Sequence, residues 1–261
     1  MRIAVAATAP FGADVLERLA SRHEVGALLT RPDRPAGRGR ALTAPAAKVA
    51  AERLGIPVLQ PERPTVALEL SAEVVVVCAY GLLIPADLLE RGLWLNVHPS
   101  LLPRWRGAAP VERALLAGDP ETGVTIHETV AELDAGPIAA QRSFPLTAED
   151  DAGIVYARSA VLAVDLLDEA LPRPSFRPQE GEPTYAAKIG PEDRELDLTR
   201  PEESLNRIRA LSPQIGARAE LRGRRVTIWR ARLEDGELVP IDVQPEGRRR
   251  MSYDEFLRGL R

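Results

Sequence analysis

The chain has 261 residues, of which 45% are hydrophobic and 28% charged, and this composition is typical of a folded globular protein rather than a disordered one. No apolar run reaches the roughly 20 residues that a membrane-spanning helix needs. Cys78 is the only cysteine, so no disulfide can form within the chain, and only three histidines accompany it. We therefore expect a cytoplasmic protein without a signal peptide, membrane contact or metal site.

The net charge of −4 is unevenly distributed along the chain. Residues 1–199 carry 20 basic and 28 acidic side chains, whereas residues 200–261 carry 14 arginines and 10 acidic side chains. A basic end on an acidic body favours a polyanionic partner such as a nucleic acid. Arginine outnumbers lysine by 32 to 2, however, and such a bias can also follow from the base composition of a genome. Charge alone therefore leaves the partner open.

The amino-terminal half alternates short strands with amphipathic helices. We predict strands at 2–8, 25–30, 57–59, 74–78 and 93–98, and helices at 13–22, 45–54 and 109–116. The uninterrupted apolar run at 74–78 is typical of a central parallel strand that is buried on both faces. This alternation predicts an α/β fold with a doubly wound, mostly parallel sheet.

The second half changes its pattern and contains a proline-rich connection at 172–183. We predict strands at 123–129, 137–146, 225–231 and 238–243, and helices at 150–171, 203–210 and 253–260. These elements suggest a first domain over residues 1–178, a linker over residues 179–199 and a small β-containing domain over residues 200–261.

The first strand-to-helix crossing, at residues 6–12, lacks the G-x-G-x-x-G pattern that lets a main chain approach a pyrophosphate. The sequence also contains no G-x-x-x-x-G-K-[ST] motif. The fold class thus resembles that of nucleotide-binding proteins, while the phosphate-binding chemistry is missing. The sequence therefore strongly disfavours a dehydrogenase or a kinase.

Asn96 and His98 stand two residues apart near the carboxyl end of a predicted strand, so their side chains share one face of the sheet. Ligands of open α/β sheets bind outside the carboxyl ends of the strands. An amide donor beside an imidazole is suited to stabilising a developing oxyanion. Taken alone, His98 could instead bond to main-chain carbonyls, and Asp134, within Leu-Asp-Ala-Gly-Pro, could simply hold a turn.

Three motifs together resemble those of the folate-dependent formyltransferases. They are Asn-x-His-x-Ser-Leu-Leu-Pro at 96–103, Arg-x-Arg-Gly-x-x-Pro at 104–110 and Leu-Asp-x-Gly-Pro at 133–137. Within that family, residues 30–40 and 79–85 are similar to those of the methionyl-tRNA formyltransferases, and so are residues 184–189 and 243–247. The resemblance covers essentially the whole chain. It implies a Rossmann-like formyltransferase domain followed by a small β-barrel-like domain, shortened here because a strand pair is missing near residues 232–238.

The resemblance implies a transferase of one-carbon metabolism that serves translation initiation in protein biosynthesis. The formyl group of 10-formyltetrahydrofolate would pass to the α-amine of initiator methionyl-tRNA, releasing tetrahydrofolate, with no metal and no covalent intermediate. Asn96, His98 and Asp134 would be catalytic. Asn96 and a protonated His98 would donate hydrogen bonds to the oxyanion, while Asp134 would keep the imidazole positive and assist proton movement.

The resemblance also implies two sets of binding residues. Folate would be bound by Cys78, Tyr80, Gly81, Ile84, Ser100, Leu101, Leu102 and Pro103. The tRNA would be bound by four arginines of the unusually long loop at 31–43, namely Arg31, Arg34, Arg38 and Arg40. We expect His23 and His127 to be structural, and the protein to act as a monomer.

Two alternatives stay open on the sequence. A sugar-nucleotide N-formyltransferase would share Asn96, His98 and Asp134 and would suit the shortened carboxyl-terminal domain, but the arginine loop and the basic residues 200–261 disfavour it. A catalytically silent RNA-binding relative would retain the basic character, but the intact catalytic motif argues against it.

Overall fold

The computed structural model describes residues 1–36, 41–70 and 72–260, which fall into two units. The first unit contains Met1–Arg106, Gly123–Ser143 and Ala157–Thr184. The second unit contains Gly107–Thr122, Phe144–Tyr156 and the chain from Tyr185 onward. The domain boundaries at residues 178 and 199 stay a prediction.

The strands are β1 (Arg2–Ala7), β2 (Glu24–Leu29), β3 (Arg34–Ala36), β4 (Ala41–Thr43), β5 (Val58–Leu59), β6 (Val74–Cys78), β7 (Leu93–His98), β8 (Arg106–Gly107), β9 (Glu121–Glu128), β10 (Ile138–Pro145), β11 (Tyr185–Ala186), β12 (Ala217–Leu221), β13 (Arg224–Glu234), β14 (Glu237–Pro245) and β15 (Met251–Ser252). The helices are α1 (Pro10–Ala20), α2 (Ala46–Leu54), α3 (Ala86–Leu89), α4 (Pro110–Ala117), α5 (Ala152–Ala170), α6 (Pro201–Leu211) and α7 (Tyr253–Arg258), and a 3-10 turn covers Glu192–Arg194.

A seven-stranded sheet in the order β10-β9-β7-β6-β1-β2-β5 forms the centre of the first unit. Strands β1, β2, β5, β6 and β7 run parallel, and β9 joins β7 antiparallel. The predicted α/β fold with a mostly parallel sheet is confirmed. Because β2 and β5 extend the sheet on one side of β1 while β6 and β7 extend it on the other, the strand order reverses between β1 and β6. Such a switch point opens a crevice at the carboxyl ends of the strands.

The buried residues of this sheet follow the predicted pattern. All five residues of β6 are buried, which confirms that the apolar run at 74–78 is a central strand. In α1, the side chains of Val15, Leu16 and Leu19 are buried on the face of the helix that lies toward the sheet. This helix begins three residues earlier than predicted, because Pro10 occupies its first turn, where a missing N–H costs nothing. Within the described residues, no helix is long and apolar enough to cross a membrane.

Strands β3 and β4 form an antiparallel ribbon inside the segment that the sequence predicted as a long loop. Arg34 pairs with Thr43, and Pro35 pairs with Leu42. Residues 37–40, which include Arg38 and Arg40, lie outside the described residues.

The second unit contains a four-stranded antiparallel sheet in the order β12-β13-β14-β15. Its core is formed by buried side chains of α6, α7 and the sheet, namely Ile208, Leu211, Val226, Ile228, Val243 and Phe256. The two-residue turn at Asp235 and Gly236, both with positive φ (51° and 81°), joins β13 directly to β14. The predicted direct passage between strands near residues 232–238 is therefore confirmed, as is the small β-containing carboxyl-terminal domain.

Candidate active site

Strand β7 presents Asn96 and His98 on one face at its carboxyl end, as the sequence predicted. The register places Asn96 between Val77 of β6 and His127 of β9. Asn96 is half-buried, whereas only 4% of His98 is exposed. The central position of β7 thus removes the imidazole from solvent.

Asp134 lies in the turn between β9 and β10 and directs its carboxylate at both of these side chains. Asn96 donates from Nδ2 to Asp134 Oδ1 at 3.2 Å, and Asp134 Oδ2 lies 3.7 Å from His98 Nδ1. The main chain of Asp134 has φ of +48°, a left-handed conformation that Asp and Asn tolerate better than most residues. The fold therefore brings together the three residues that the sequence singled out.

His127 is a fourth member of this cluster, and the prediction that it is only structural missed its position. Its ring is 2% exposed and its Nε2 lies 3.0 Å from Asn96 Nδ2 and 3.7 Å from Asp134 Oδ1. The signal in the sequence was a histidine next to Ile126 in a predicted strand, seven residues before Asp134. The pairing of β7 with β9, which places His127 opposite Asn96, was not visible in the sequence.

The hydrogen-bond partners assign the proton on each ring. His98 donates from Nε2 to the main-chain carbonyl of Trp105 at 2.8 Å, because a carbonyl oxygen can only accept. His127 donates from Nδ1 to the carbonyl of Glu128 at 2.8 Å, so its Nε2 lone pair accepts from Asn96. Asn96 consequently points its amide hydrogens at His127 and Asp134. The nitrogen of His98 that can gain a proton is Nδ1, on the side of Asp134.

Burial lowers the pKa of His98, and the nearby ring of His127 lowers it further. The carboxylate of Asp134 and the bond to the Trp105 carbonyl raise that pKa, but they do not offset burial. The lowered pKa favours a neutral imidazole in the resting protein at pH 7. This direction does not fit the expectation that Asp134 keeps His98 positive, because desolvation of a buried ring could not be judged from the sequence.

The loop at 79–85, which follows β6, presents open main-chain groups. Thr8 donates from Oγ1 to the carbonyl of Tyr80 at 2.7 Å and holds the start of this loop. Residues 81–84 make no main-chain hydrogen bond to another described residue. The Oη of Tyr80 is buried without a hydrogen-bond partner among the described residues, and burial raises the pKa of Tyr80 to about 12. Open donors and acceptors beside an apolar wall suit a flat heterocycle with a polar edge.

The loop at 100–103 differs, because its main chain is bonded within the protein. Thr125 donates from Oγ1 to the carbonyl of Ser100 at 2.6 Å, and Leu102 N–H donates to that same hydroxyl at 3.2 Å. Gln141 donates to the carbonyl of Leu102 at 3.0 Å. The carbonyls of Ser100 and Leu102 and the N–H of Leu102 are therefore already hydrogen-bonded within the protein. This loop can offer a fixed shape and the apolar side chains of Leu101 and Pro103.

Two of the predicted tRNA-binding arginines lie in different surroundings. Arg34 lies on β3 with its side chain 54% exposed, and its guanidinium is 3.9 Å from the carboxylate of Glu62. Arg31 is half-buried and its Nη1 stands 3.5 Å from the position that a Cβ on Gly81 would occupy. Arg31 thus borders the loop at 79–85, whereas Arg34 faces solvent.

The base of the β3–β4 ribbon is fixed by Asp33. Lys48 donates to both oxygens of this carboxylate, at 2.8 and 3.0 Å, and Gln60 donates to Oδ1 at 2.8 Å. The hydrogen bond from Lys48, followed by that from Gln60, lowers the pKa of Asp33.

The described part of the chain contains no cluster of three or more His, Cys, Asp or Glu side chains placed to hold a metal ion.

Comparison with known proteins agrees with this arrangement. The Formyl transferase family model matches residues 1–171, and the model of the Formyl transferase C-terminal domain matches residues 188–240. Methionyl-tRNA formyltransferase of Cereibacter sphaeroides is 40% identical over 295 aligned residues that cover 100% of this chain and 96% of that protein. The enzyme of the same name from Listeria monocytogenes is 39% identical, and the alignment covers 97% of this chain and 93% of that protein.

A solved structure shares the fold. Methionyl-tRNA formyltransferase from Clostridium thermocellum superposes with a TM-score of 0.64 at 20% identity and covers 94% of this chain and 98% of that one. The sequence match to the curated relatives extends over both units and covers the segments that contain Asn96, His98 and Asp134. The chain therefore belongs to the methionyl-tRNA formyltransferase family.

Proposed function

We propose that this chain transfers the formyl group of 10-formyltetrahydrofolate to the α-amine of initiator methionyl-tRNA, as a cytoplasmic monomer that serves translation initiation. The observation that carries this proposal is the convergence of Asn96, His98 and Asp134 at the carboxyl edge of the sheet, in a chain of this family. The reaction forms a bond from the amine nitrogen to the formyl carbon and breaks the bond from that carbon to the folate nitrogen. One proton leaves the amine and one reaches the folate nitrogen.

His98 is suited to move that proton. Its Nε2 is committed to the Trp105 carbonyl, so the neutral ring accepts a proton at Nδ1. The imidazolium then lies 3.7 Å from the carboxylate of Asp134, which stabilises the positive charge. The same nitrogen can return the proton to the leaving folate nitrogen, so His98 ends the cycle neutral.

Asn96 is suited to stabilise negative charge on the formyl oxygen. Its two amide hydrogens point at His127 and Asp134 in the resting protein, and one of them would turn to the oxygen as charge develops there. A hydrogen-bond donor to a developing oxyanion typically accounts for about 10²–10³ in rate. Because the lone pair of His127 accepts from Asn96, it determines that the nitrogen and not the oxygen of the Asn96 amide lies on that side.

The predicted folate residues divide into two roles. The open main-chain groups of residues 81–84, beside the buried ring of Tyr80, would bind the polar edge of the pterin. Cys78 and Ile84, which are both buried, would contribute apolar side chains to this wall, and the loop at 100–103 would contribute shape. The bound folate supplies the formyl group, and no metal is needed for this chemistry.

Binding of tRNA would involve the arginines of the segment at 31–43. Arg34 is exposed on β3, and Arg38 and Arg40 belong to the same segment of the sequence. Arginines spaced along one segment of the sequence suit successive phosphates of an acceptor stem. We assign Arg31 to this set with the others, although its guanidinium also borders Gly81.

The direct test is a competition between acceptors. The protein would be incubated with 10-formyltetrahydrofolate, aminoacylated initiator methionyl-tRNA and an amino-sugar nucleotide at equal concentrations, and the products would be identified by mass spectrometry. We expect formylmethionyl-tRNA to be the formylated product. Formylation of the sugar nucleotide in preference to the tRNA, or of neither, would overturn the proposal.

A further inference from the structure

Gln179 lies in the proline-rich connection after α5, among exposed neighbours, and yet it is half-buried. Its Nε2 donates to the carbonyl of Asp134 at 2.8 Å and to the carbonyl of Gly136 at 2.9 Å. Its Oε1 accepts from Arg106, at 3.1 Å from Nε and 2.8 Å from Nη2. Both amide hydrogens and the oxygen of this one side chain are therefore used.

Arg106 fixes the direction in which this amide points. The guanidinium can only donate, so it selects the oxygen of Gln179 and leaves Nε2 facing the two carbonyls. Arg106 is 9% exposed, and its Nη1 also reaches Glu132 Oε1 at 3.2 Å, within the same turn. Arg106 and Gln179 thus hold the turn from two sides.

Arg106 and Gln179 hold the turn that carries the carboxylate of Asp134. Asp134 has φ of +48°, and a Cβ on Gly136 would lie 1.8 Å from the carbonyl of Glu128, so the chain is closely packed there. A shift of this main chain would move the carboxylate away from Nδ1 of His98, which lies 3.7 Å from it. A misplacement of about 1 Å in a catalytic group can cost about 10² in rate.

The connection is attached on both sides of Gln179. Arg177 exchanges two main-chain hydrogen bonds with Ile138, at 2.7 and 3.0 Å, directly after the turn. Thr184 accepts at Oγ1 from the N–H of Trp105 at 2.9 Å, and the carbonyl of Trp105 in turn accepts from His98. Residues 177–184 therefore contact the supports of both Asp134 and His98.

We propose that Gln179 is a positioning residue, which holds the main chain of the Asp134 turn so that the carboxylate stays aimed at His98 and Asn96. This inference rests on the proposed function for its effect on turnover. Its effect on the geometry of the free protein does not depend on which acceptor is used.

Two substitutions separate the hydrogen bonds of this amide. Gln179→Met removes every hydrogen bond while keeping the length of the side chain. Gln179→Glu keeps an acceptor for Arg106 but replaces the donor by an oxygen that faces two carbonyls. We expect kcat to fall about 10²-fold in both variants, with the KM for the folate unchanged. Glu180→Gln, at the exposed neighbouring position, is the matched control and should behave as wild type.

A second readout comes from nuclear magnetic resonance of the uncharged Gln179→Met variant, with ¹⁵N-labelled histidine. The titratable groups that face His98 are Asp134 and His127. Since the carboxylate raises the pKa of His98, its displacement should move the titration midpoint of His98 to lower pH than in wild type, in folded protein. A role in folding alone would leave that midpoint unchanged.

Wild-type turnover in Gln179→Met, recovery of turnover in Gln179→Glu, or an unchanged His98 midpoint would each overturn the proposal. Failure of the wild-type protein to formylate methionyl-tRNA would instead count against the proposed function, because the midpoint is measured without substrate.

Discussion

Replacing Asp134 by Asn removes one negative charge from the site while keeping its shape. Asn tolerates the left-handed main chain at φ of +48°, and its side-chain oxygen can still accept from Asn96. The charge lies 3.7 Å from His98 Nδ1, and the two side chains are 11% and 5% exposed. At an effective dielectric constant of about 20, two unit charges at this separation attract by about 4 kcal/mol. If that attraction exists only when His98 is protonated, its loss lowers kcat by about 10³.

The assay is formyl transfer to methionyl-tRNA at saturating substrate concentrations, from which kcat is determined between pH 5 and 9 for wild type and Asp134→Asn. The sign of the pH effect follows from the same geometry. Asp134 raises the pKa of His98 against burial, so its neutralisation lowers that pKa further and moves the titration of the ring to more acidic pH. The acceptor amine titrates equally in both proteins and cancels in the comparison. A loss of less than tenfold in kcat, or a His98 titration displaced to higher pH, would refute the reasoning.

Substitutions at His127 and at the arginines of the segment 31–43 test other parts of the account. His127→Leu removes the lone pair that accepts from Asn96, so we expect kcat to fall about tenfold with folate affinity unchanged. His127→Gln should recover most of this loss. Equal turnover in wild type and the Leu variant would contradict this role of His127. Combined replacement of Arg34, Arg38 and Arg40 by Ala should weaken tRNA binding, measured by titration at several salt concentrations. The slope of log affinity against log salt should fall by about 0.7–0.9 for each phosphate that is no longer neutralised. Equal slopes would leave the ribbon without a role in tRNA binding, and Arg31→Ala provides a separate comparison, because this arginine also borders Gly81.

The position of Asn96 and His98 could be predicted because it follows from local periodicity. Side chains two residues apart on a strand share a face, and a strand in an alternating α/β pattern ends at the ligand-binding edge. The apolar run at 74–78 likewise indicated its own burial. These inferences need no knowledge of which strands are neighbours.

The partners of these residues could not be predicted in the same way. His127 faces Asn96 because β9 pairs with β7, and Gln179 meets the carbonyl of Asp134 across 45 residues of sequence. The charge of His98 depends on burial of the ring, which the sequence does not report. β12 was not predicted, although its apolar and polar residues alternate as in a half-buried strand, and its pairing with β13 was not visible in the sequence.

The central claim is that Asn96, His98 and Asp134 act as one unit, and a double-mutant cycle tests it most directly. Turnover of formyl transfer would be measured for Asn96→Ala, Asp134→Asn and the double variant, with folate binding followed by calorimetry to verify that each protein is folded. Residues that act as a unit lose most of their effect once one member is removed. We therefore expect the double variant to be little slower than the slower single variant. Losses that multiply, so that the double variant shows the product of the two single effects, would mean that the two side chains act independently and would contradict the account.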